Sequence, residues 1–214
     1  MLMSIKQKET LLFEKWKQKR PKLVSDGLVD ETSYLKSNLK IVLLLKEVNS
    51  ADSDWDLCDF IRKKAKDKYT WGKVSRWIYG IRNIEKDFGW KELQDISESY
   101  RQEMLNSIGV VNVKKEPGGH TSIKKTVAQY YKEDKDLILE QLSLYDADII
   151  ICCGESVGCP IKITDWEVTS RGVSYGRKGK QIVISYSHPV ARCADYLLYY
   201  GLIDAVREIL AITE

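Results

Sequence analysis

The clearest pattern along the chain is a set of four short apolar runs, each followed by polar or glycine-containing residues. The apolar residues are nearly continuous rather than alternating, which is typical of strands covered on both faces. The pattern therefore predicts four buried strands that belong to one mainly parallel sheet. The predicted strands are residues 41–45, 110–113, 149–153 and 181–186.

Helical spacing of apolar residues accounts for most of the remaining chain. Residues 4–19 interleave apolar side chains such as Trp16 with lysines and glutamates, so they predict an amphipathic helix that ends before Pro21. The other predicted segments are helices at 54–68, 71–81, 93–107, 122–131, 135–144 and 193–210, a loop or short helical turns at 24–37, and a short strand within 165–175 before a turn at 176–179.

Strands separated by helical segments indicate a parallel sheet with helices on both faces. The fold class expected is therefore α/β, a three-layer α/β/α arrangement around a central, mainly parallel four-stranded sheet. No internal repeat, low-complexity segment or linker rich in glycine and proline divides the chain. We expect a single domain over residues 1–214, with residues 1–37 as an N-terminal helical extension packed on it.

Composition narrows the classes of function. The chain has 214 residues, 43% of them hydrophobic, which is enough for one large core. The formal net charge is only +3, which argues against a histone-like basic protein and permits nucleic-acid binding without requiring it. Basic runs occur at 62–64, 114–115, 124–125 and 177–180, and most such runs are solvated surface.

Cysteine usage and hydropathy bear on the compartment. The five cysteines are odd in number and contain no Cys-x-x-Cys repeat, so free thiols in a reducing, cytoplasmic setting are expected. The first residues lead directly into a charged segment, which is unlike a signal peptide. No apolar run approaches the roughly 18 residues of a membrane span, so no membrane partner is expected.

Candidate chemistry follows the predicted strands. Glu47 and Asn49 come after the first strand, Asn112 lies in the second, Gly154 follows the third, and His188 follows the fourth. Ligands of open α/β sheets bind outside the carboxyl ends of the strands. These side chains are therefore expected to meet at one edge of the sheet, although they are far apart in sequence.

The ordered strand ends resemble the uracil-DNA glycosylase superfamily over roughly residues 40–195. In the iron–sulfur branch of that superfamily, the first strand ends in Gly-Glu-Ala-Pro-Gly and the second in an Asn followed by a proline-rich stretch. The third ends in aliphatic residues and Leu-Gly, and the last motif is His-Pro-Ser. The counterparts here are 46–50, 112–119, 148–154 and 188–190.

The chain departs from the pattern of that branch in three places. Lys46 stands where the family has Gly and Asn49 where it has Pro, and Val190 replaces the usual Ser. The cysteines that would hold the cluster are also missing, with Lys115 and Glu116 where one of them would fall. We therefore expect no iron–sulfur cluster, no other metal and no organic cofactor.

The resemblance implies hydrolysis of the N-glycosidic bond of a base in DNA, single- or double-stranded, with no obligate protein partner. Glu47 would orient water and stabilise the positively charged sugar. His188 would donate a hydrogen bond to the departing anionic base as a neutral imidazole. Asn112 would read the polar edge of the base, because an amide offers both a donor and an acceptor.

Further residues complete the predicted site. Asn49, Gly154 and Pro189 are expected near the substrate, with Pro189 stiffening the loop beside His188. A flipped base needs an aromatic surface, for which Trp71 is one candidate among several that the sequence does not separate. Trp55, Trp77 and Tyr79 are the other candidates for this surface. The residues expected to contact the phosphate backbone are Lys114, Lys115 and Arg192.

Each of these residues also has an ordinary structural explanation. Glu47 can be a strand-end carboxylate paired with Lys46 or a helix, and Asn112 can cap a turn before Pro117. His188 can bond a backbone carbonyl, while His120, the other histidine, is a weaker functional candidate. Tryptophans lie in protein cores more often than they serve as stacking surfaces.

Two other functions remain open at this point. The same fold could bind nucleic acid or a nucleotide without catalysis, because the first and last motifs are altered. An unrelated α/β hydrolase or transferase would need Cys153 or Ser156 as its nucleophile, and the chain has no Gly-x-Ser-x-Gly motif. The stretch Gly154-Glu155-Ser156 is a weak phosphate-loop signal without the Gly-Lys-Ser/Thr ending.

Overall fold

The computed structural model describes residues 3–64, 69–119, 122–154 and 161–211. These residues form a seven-stranded mixed sheet with the strand order β1-β3-β2-β4-β7-β6-β5. The strands are β1 (Gly27–Leu28), β2 (Ile41–Leu45), β3 (Ile108–Asn112), β4 (Ile149–Cys153), β5 (Trp166–Val168), β6 (Ser174–Lys178) and β7 (Gln181–Tyr186).

The four strands predicted from the apolar runs lie side by side in the centre of the sheet. Strands β3, β2, β4 and β7 are mutually parallel, and the α/β class is confirmed. The predicted number of strands is wrong, because β1, β6 and β5 extend the sheet by antiparallel pairing. These edge strands lack a long apolar run: β1 has two residues, and all three residues of β5 are exposed.

The helices flank this sheet. They are α1 (Ile5–Lys19), α2 (Glu31–Lys36), α3 (Leu57–Lys64), α4 (Thr70–Arg82), α5 (Trp90–Gln94), α6 (Glu98–Asn106), α7 (Lys124–Ser143) and α8 (Asp195–Ala211). The two helices predicted between 122 and 144 are one continuous helix, α7, in which the polar Asp134 is buried and ion-paired with Lys19 and Arg20. The single helix predicted at 93–107 is two, because Ser97 caps a new helix by accepting from the Tyr100 N–H.

Successive residues of the central strands face opposite cores. Ile41 and Leu43 contribute to a core with α4, α6 and α8, while Val42 and Leu44 contribute to a core with α1 and α7. All five residues of β2 are buried. Cover on both faces explains why the strands read as continuous apolar runs.

The N-terminal helix lies against α7. A capping box of Ser4 and Gln7 begins α1, as the amphipathic pattern from residue 4 predicts. Trp16 is fully buried and donates from Nε1 to Asp134 Oδ2 over 3.2 Å. Within the described part of the chain, no helix has the length and apolar character needed to cross a membrane.

Candidate functional site

The register of the parallel strands brings their carboxyl ends to one level. Leu45 pairs with Asn112, and Cys153 pairs with Tyr186, so the residues that follow these strands emerge at the same edge. A cavity of about 730 Å³ opens there. Its polar and aromatic lining includes Lys46, Glu47, Asn49, Asp52, Trp55, Phe60, Trp71, Asn112 and His188.

Six residues selected from the sequence line this cavity together, and they are Glu47, Asn49, Trp55, Trp71, Asn112 and His188. They come from the ends of three parallel strands or the segments that follow them, and from the start of α4. The cavity is therefore framed by loops on a rigid sheet, which is the usual position for ligands in open α/β folds.

Glu47 is held in an ion pair with Lys114. The distance from Lys114 Nζ to Glu47 Oε2 is 2.5 Å, and the two side chains are 9% and 6% exposed. Lys114 Nζ also donates to the carbonyl of Pro117 over 3.0 Å. This pairing differs from the expected Lys46 partner, and it occupies the ammonium that was expected to contact phosphate.

The loops that carry Glu47 and Lys114 are themselves paired. Lys114 N–H donates to Lys46 O and Gly118 N–H donates to Val48 O, both over 2.8 Å. A Cβ at Gly118 would lie 2.2 Å from the Glu47 carboxyl carbon, so a larger residue at this position would displace that carboxylate. The hydrogen bonding between β2 and β3 thus continues past the strands and fixes the Glu47 side chain.

Asn112 is buried at the end of β3, with its side chain bound to Asp26. Its backbone N–H and its side-chain Nδ2 both donate to Asp26 Oδ2, over 2.8 and 3.2 Å. Its Oδ1 is buried and has no hydrogen-bond partner among the described residues. In the described part of the chain Asn112 therefore bonds Asp26 rather than the turn before Pro117, and it places a buried acceptor at the cavity wall.

His188 has a defined tautomer. The Val190 N–H donates to His188 Nδ1 over 3.2 Å, so in the neutral ring the proton resides on Nε2. Burial, followed by the charge of Lys46, lowers the pKa of His188 from 6.5 to about 4. His188 is thus a neutral N–H donor at physiological pH, which agrees with the chemistry expected of it.

Lys46 is a cavity residue that the sequence reasoning did not select. It follows β2 directly and lies beside Gly154, where a Cβ would sit 3.0 Å from Lys46 Cε. Gly154 has a φ of +103°, a conformation that favours glycine. No carboxylate of the described residues forms an ion pair with Lys46. The sequence did carry a sign of its position, because Lys46 stands where the Gly-Glu-Ala-Pro-Gly pattern has its first glycine.

The aromatic part of the cavity consists of Trp55, Phe60 and Trp71. Trp71 is 6% exposed, packs into the core and also lines the cavity. The other two predicted rings lie elsewhere: Trp77 packs on Tyr186, with centroids 5.6 Å apart, and Tyr79 packs on Phe88 at 4.9 Å. Phe60 is a further aromatic residue of the cavity that the sequence reasoning did not select.

Lys115 is not available to a phosphate. Its side chain is 0% exposed, and its Nζ lies 2.6 Å from Asp26 Oδ1. Arg192, by contrast, is exposed on the segment that follows His188. Pro189 is buried beside His188.

The alternative nucleophiles receive no support from the described residues. Cys153 is fully buried, its thiol contacts the carbonyl of Ile151, and burial raises the pKa of that thiol. Ser156, Glu155 and His120 lie outside the described residues.

Comparison of the chain with models of known protein families gives no match, and comparison with curated protein sequences gives none either. The cavity combines an oriented carboxylate, a buried amide acceptor, a neutral imidazole donor and aromatic rings.

Proposed function

We propose that this cavity binds a nucleobase carried in DNA and hydrolyses its N-glycosidic bond, as the resemblance to uracil-DNA glycosylases implies. The observation that carries the proposal is the convergence of Glu47, Asn112 and His188, from three separate strand ends, on one cavity with aromatic walls. A flat heterocycle with polar edges matches that combination of rings, acceptor and donor.

Recognition of the base rests on two hydrogen bonds of opposite direction. Asn112 Oδ1 accepts from an N–H of the base, and His188 Nε2–H donates to a carbonyl oxygen of the base. A base turned out of the helix also needs stacking, which Trp55, Phe60 or Trp71 provides from the cavity wall.

Bond cleavage uses the same groups. When the bond between C1′ of the sugar and the ring nitrogen breaks, its electron pair stays with the base and the sugar becomes oxocarbenium-like. His188 stabilises the anionic base, and such an oriented donor is typically worth about 3 kcal/mol of barrier. The Glu47 carboxylate stabilises the sugar cation and takes a proton from the water that attacks C1′, so the products are a free base and an abasic sugar.

Contact with the phosphates of the DNA backbone requires basic side chains that are exposed. Arg192 lies on the surface next to the His188 loop, whereas Lys114 and Lys115 are held by carboxylates. A phosphate contact positions the strand without reading its sequence. We therefore propose that Arg192, rather than Lys114 or Lys115, contacts the DNA backbone.

One observation favours a second function, nucleobase binding without cleavage. The Glu47 carboxylate already forms a short ion pair with Lys114, so part of its charge is compensated before any substrate binds. Such a carboxylate can still accept a hydrogen bond from a ligand without removing a proton from water. The two functions share the cavity and differ only in whether a base is released.

The test is base release from labelled oligonucleotides that contain uracil, hypoxanthine or xanthine, in single- and double-stranded form. We expect release by the natural chain and a loss of about 100-fold or more in Glu47→Gln and His188→Gln. Glu208→Gln is the matched control, because Glu208 lies on α8 and bonds Ser170 away from the cavity. Binding without release on any of these substrates would favour the second function. Release that Glu47→Gln and His188→Gln leave intact would overturn the site.

A further inference from the structure

A buried polar network lies directly behind Asn112. At its centre Asp26 and Lys115 form an ion pair in which both side chains are 0% exposed. Gln141 from α7 bonds both partners, through Oε1 to Lys115 at 2.8 Å and through Nε2 to Asp26 at 2.9 Å. The network continues from Gln141 to the hydroxyl of Tyr145 and then to Glu9.

The hydrogen bonds of Asp26 determine which way the Asn112 amide faces. Asp26 Oδ2 accepts from Lys115 Nζ at 2.8 Å and from both nitrogens of Asn112. An ionised carboxylate can only accept, so the amide nitrogen of Asn112 must face Asp26. The amide oxygen is then turned away from Asp26, and it is buried without a hydrogen-bond partner among the described residues.

The energetics suggest a role other than stability for this network. A buried ion pair loses much of its attraction to desolvation, and an apolar replacement of similar volume is often at least as stable. A fully bonded polar cluster does, however, fix a unique arrangement of the side chains that it contacts. Hydrogen bonds from Lys115 and Gln141 hold the Asp26 carboxylate in place. Asp26 therefore determines the orientation of the Asn112 amide at the cavity.

We propose that Asp26, held by Lys115 and Gln141, is a positioning residue that locks the Asn112 amide with its acceptor toward the ligand. The cavity thereby selects bases that present a ring N–H at that point, such as lactams and imides. It disfavours bases that present a bare ring nitrogen there. The selection for bases rests on the proposed function, whereas the locked amide does not.

The first test is nuclear magnetic resonance of the side-chain amide of Asn112 in the nitrogen-15-labelled full chain, identified by its absence in Asn112→Leu. We expect slow hydrogen exchange for this amide in the natural chain and at least a tenfold faster exchange in Asp26→Asn. Asp134→Asn is the matched control, because Asp134 is an equally buried carboxylate that bonds Trp16 and Arg20 instead. Fast exchange in the natural chain would overturn the locked amide, whether or not Asp26→Asn folds.

The second test measures selection, as the ratio of affinities for oligonucleotides that carry uracil or cytosine. These bases differ in whether the ring nitrogen on the reading edge carries a hydrogen. We expect Asp26→Asn to reduce the preference for uracil at least tenfold, because its amide allows that of Asn112 to turn, and we expect Asp134→Asn to leave the ratio unchanged. A slow-exchanging amide with no binding of either oligonucleotide would contradict the proposed function and leave the positioning intact. An unchanged ratio in a folded Asp26→Asn would overturn the selection.

Discussion

Lys114 and Lys115 are neighbours with the same side chain, and the fold gives them different environments. Lys114 binds Glu47, which lines the cavity, and 9% of its side chain is exposed, while Lys115 is fully buried with Asp26. Val113 and Lys115 face the core that contains Phe13 and Trp16, whereas Asn112 lines the cavity and Lys114 binds Glu47 of its lining. A basic pair in a sequence is therefore not automatically a phosphate contact.

The comparison also separates two uses of a carboxylate. Glu47 has its lysine beside an open cavity, where ligand and water can replace part of the pairing. Asp26 has its lysine in the interior, where Gln141 and Asn112 complete the hydrogen bonding. We propose that the first carboxylate takes part in chemistry and that the second orients Asn112.

The largest expected effect is the removal of the buried lysine. Lys115→Met leaves Asp26 as an unpaired charge in the interior, and we expect the free energy of unfolding to fall by about 3–5 kcal/mol. Urea denaturation at pH 7 measures this change. The double variant Asp26→Leu, Lys115→Met removes both charges and should recover part of the loss. A single-variant loss below about 1 kcal/mol would show that the pair is not buried as described.

A smaller effect is expected at the cavity. Lys114→Met removes a charged hydrogen bond from Glu47, and a loss of about 1.5–3 kcal/mol in the free energy of unfolding is expected. The same variant should lower base release, because the carboxylate is no longer fixed against Gly118. Denaturation and base release on the same preparation test both effects. Destabilisation greater than that of Lys115→Met would reverse the comparison of the two lysines.

A third lysine, Lys46, sharpens the comparison because it acts on His188 rather than on a carboxylate. The pKa of His188 is lowered to about 4 by burial and then by Lys46. The unfolded chain therefore protonates this histidine at a higher pH than the folded chain does. The contribution of the neutral His188 to the free energy of unfolding is therefore fully present above pH 6.5, and it is lost as the pH falls from about 6.5 to 4.

Titration of the histidine ring signals measures this directly, and the chain has only two histidines. Lys46→Met should raise the pKa of His188 toward 6.5 without restoring it fully, because burial is the larger cause. His188→Gln should weaken the dependence of the free energy of unfolding on pH between 6.5 and 4, as measured by urea denaturation. A His188 pKa near 6.5 in the natural chain would contradict the buried neutral donor.

The smallest expected effect concerns the exposed arginine. Arg192→Gln should reduce the slope of log affinity for DNA against log salt by about 1, with a modest loss of affinity. Arg171→Gln is the matched control, since Arg171 is also exposed but lies in the β5–β6 connection. Filter binding over a salt series measures the slopes. Equal slopes for both variants would remove Arg192 from the proposed backbone contact.

The central strands were predictable because burial on both faces leaves a continuous apolar signal, as in Ile41–Leu45. The edge strands were not, because β1 and β5 depend on pairing with a neighbour rather than on their own composition. Likewise, the division of 93–107 into α5 and α6 depends on a single cap at Ser97.

In the candidate site, likewise, one part was predictable from the sequence and another was not. Its backbone positions follow from the rule that parallel strands end at one edge, which brought Glu47, Asn112 and His188 together. The direction of each side chain depends on partners far away in sequence. Asp26 lies 89 residues from Lys115, and no local pattern connects them. Sequence reasoning therefore located the cavity and misassigned the lysines beside it.

The central claim is that the cavity at the carboxyl edge of the sheet releases a base. Single-turnover release of uracil, hypoxanthine or xanthine from labelled DNA, by the natural chain and by Glu47→Gln, tests it most directly. The account predicts release of at least one of these bases and a loss of about 100-fold or more in the variant. Equal release by both proteins would contradict the role of the cavity, and no release on any substrate would contradict catalysis.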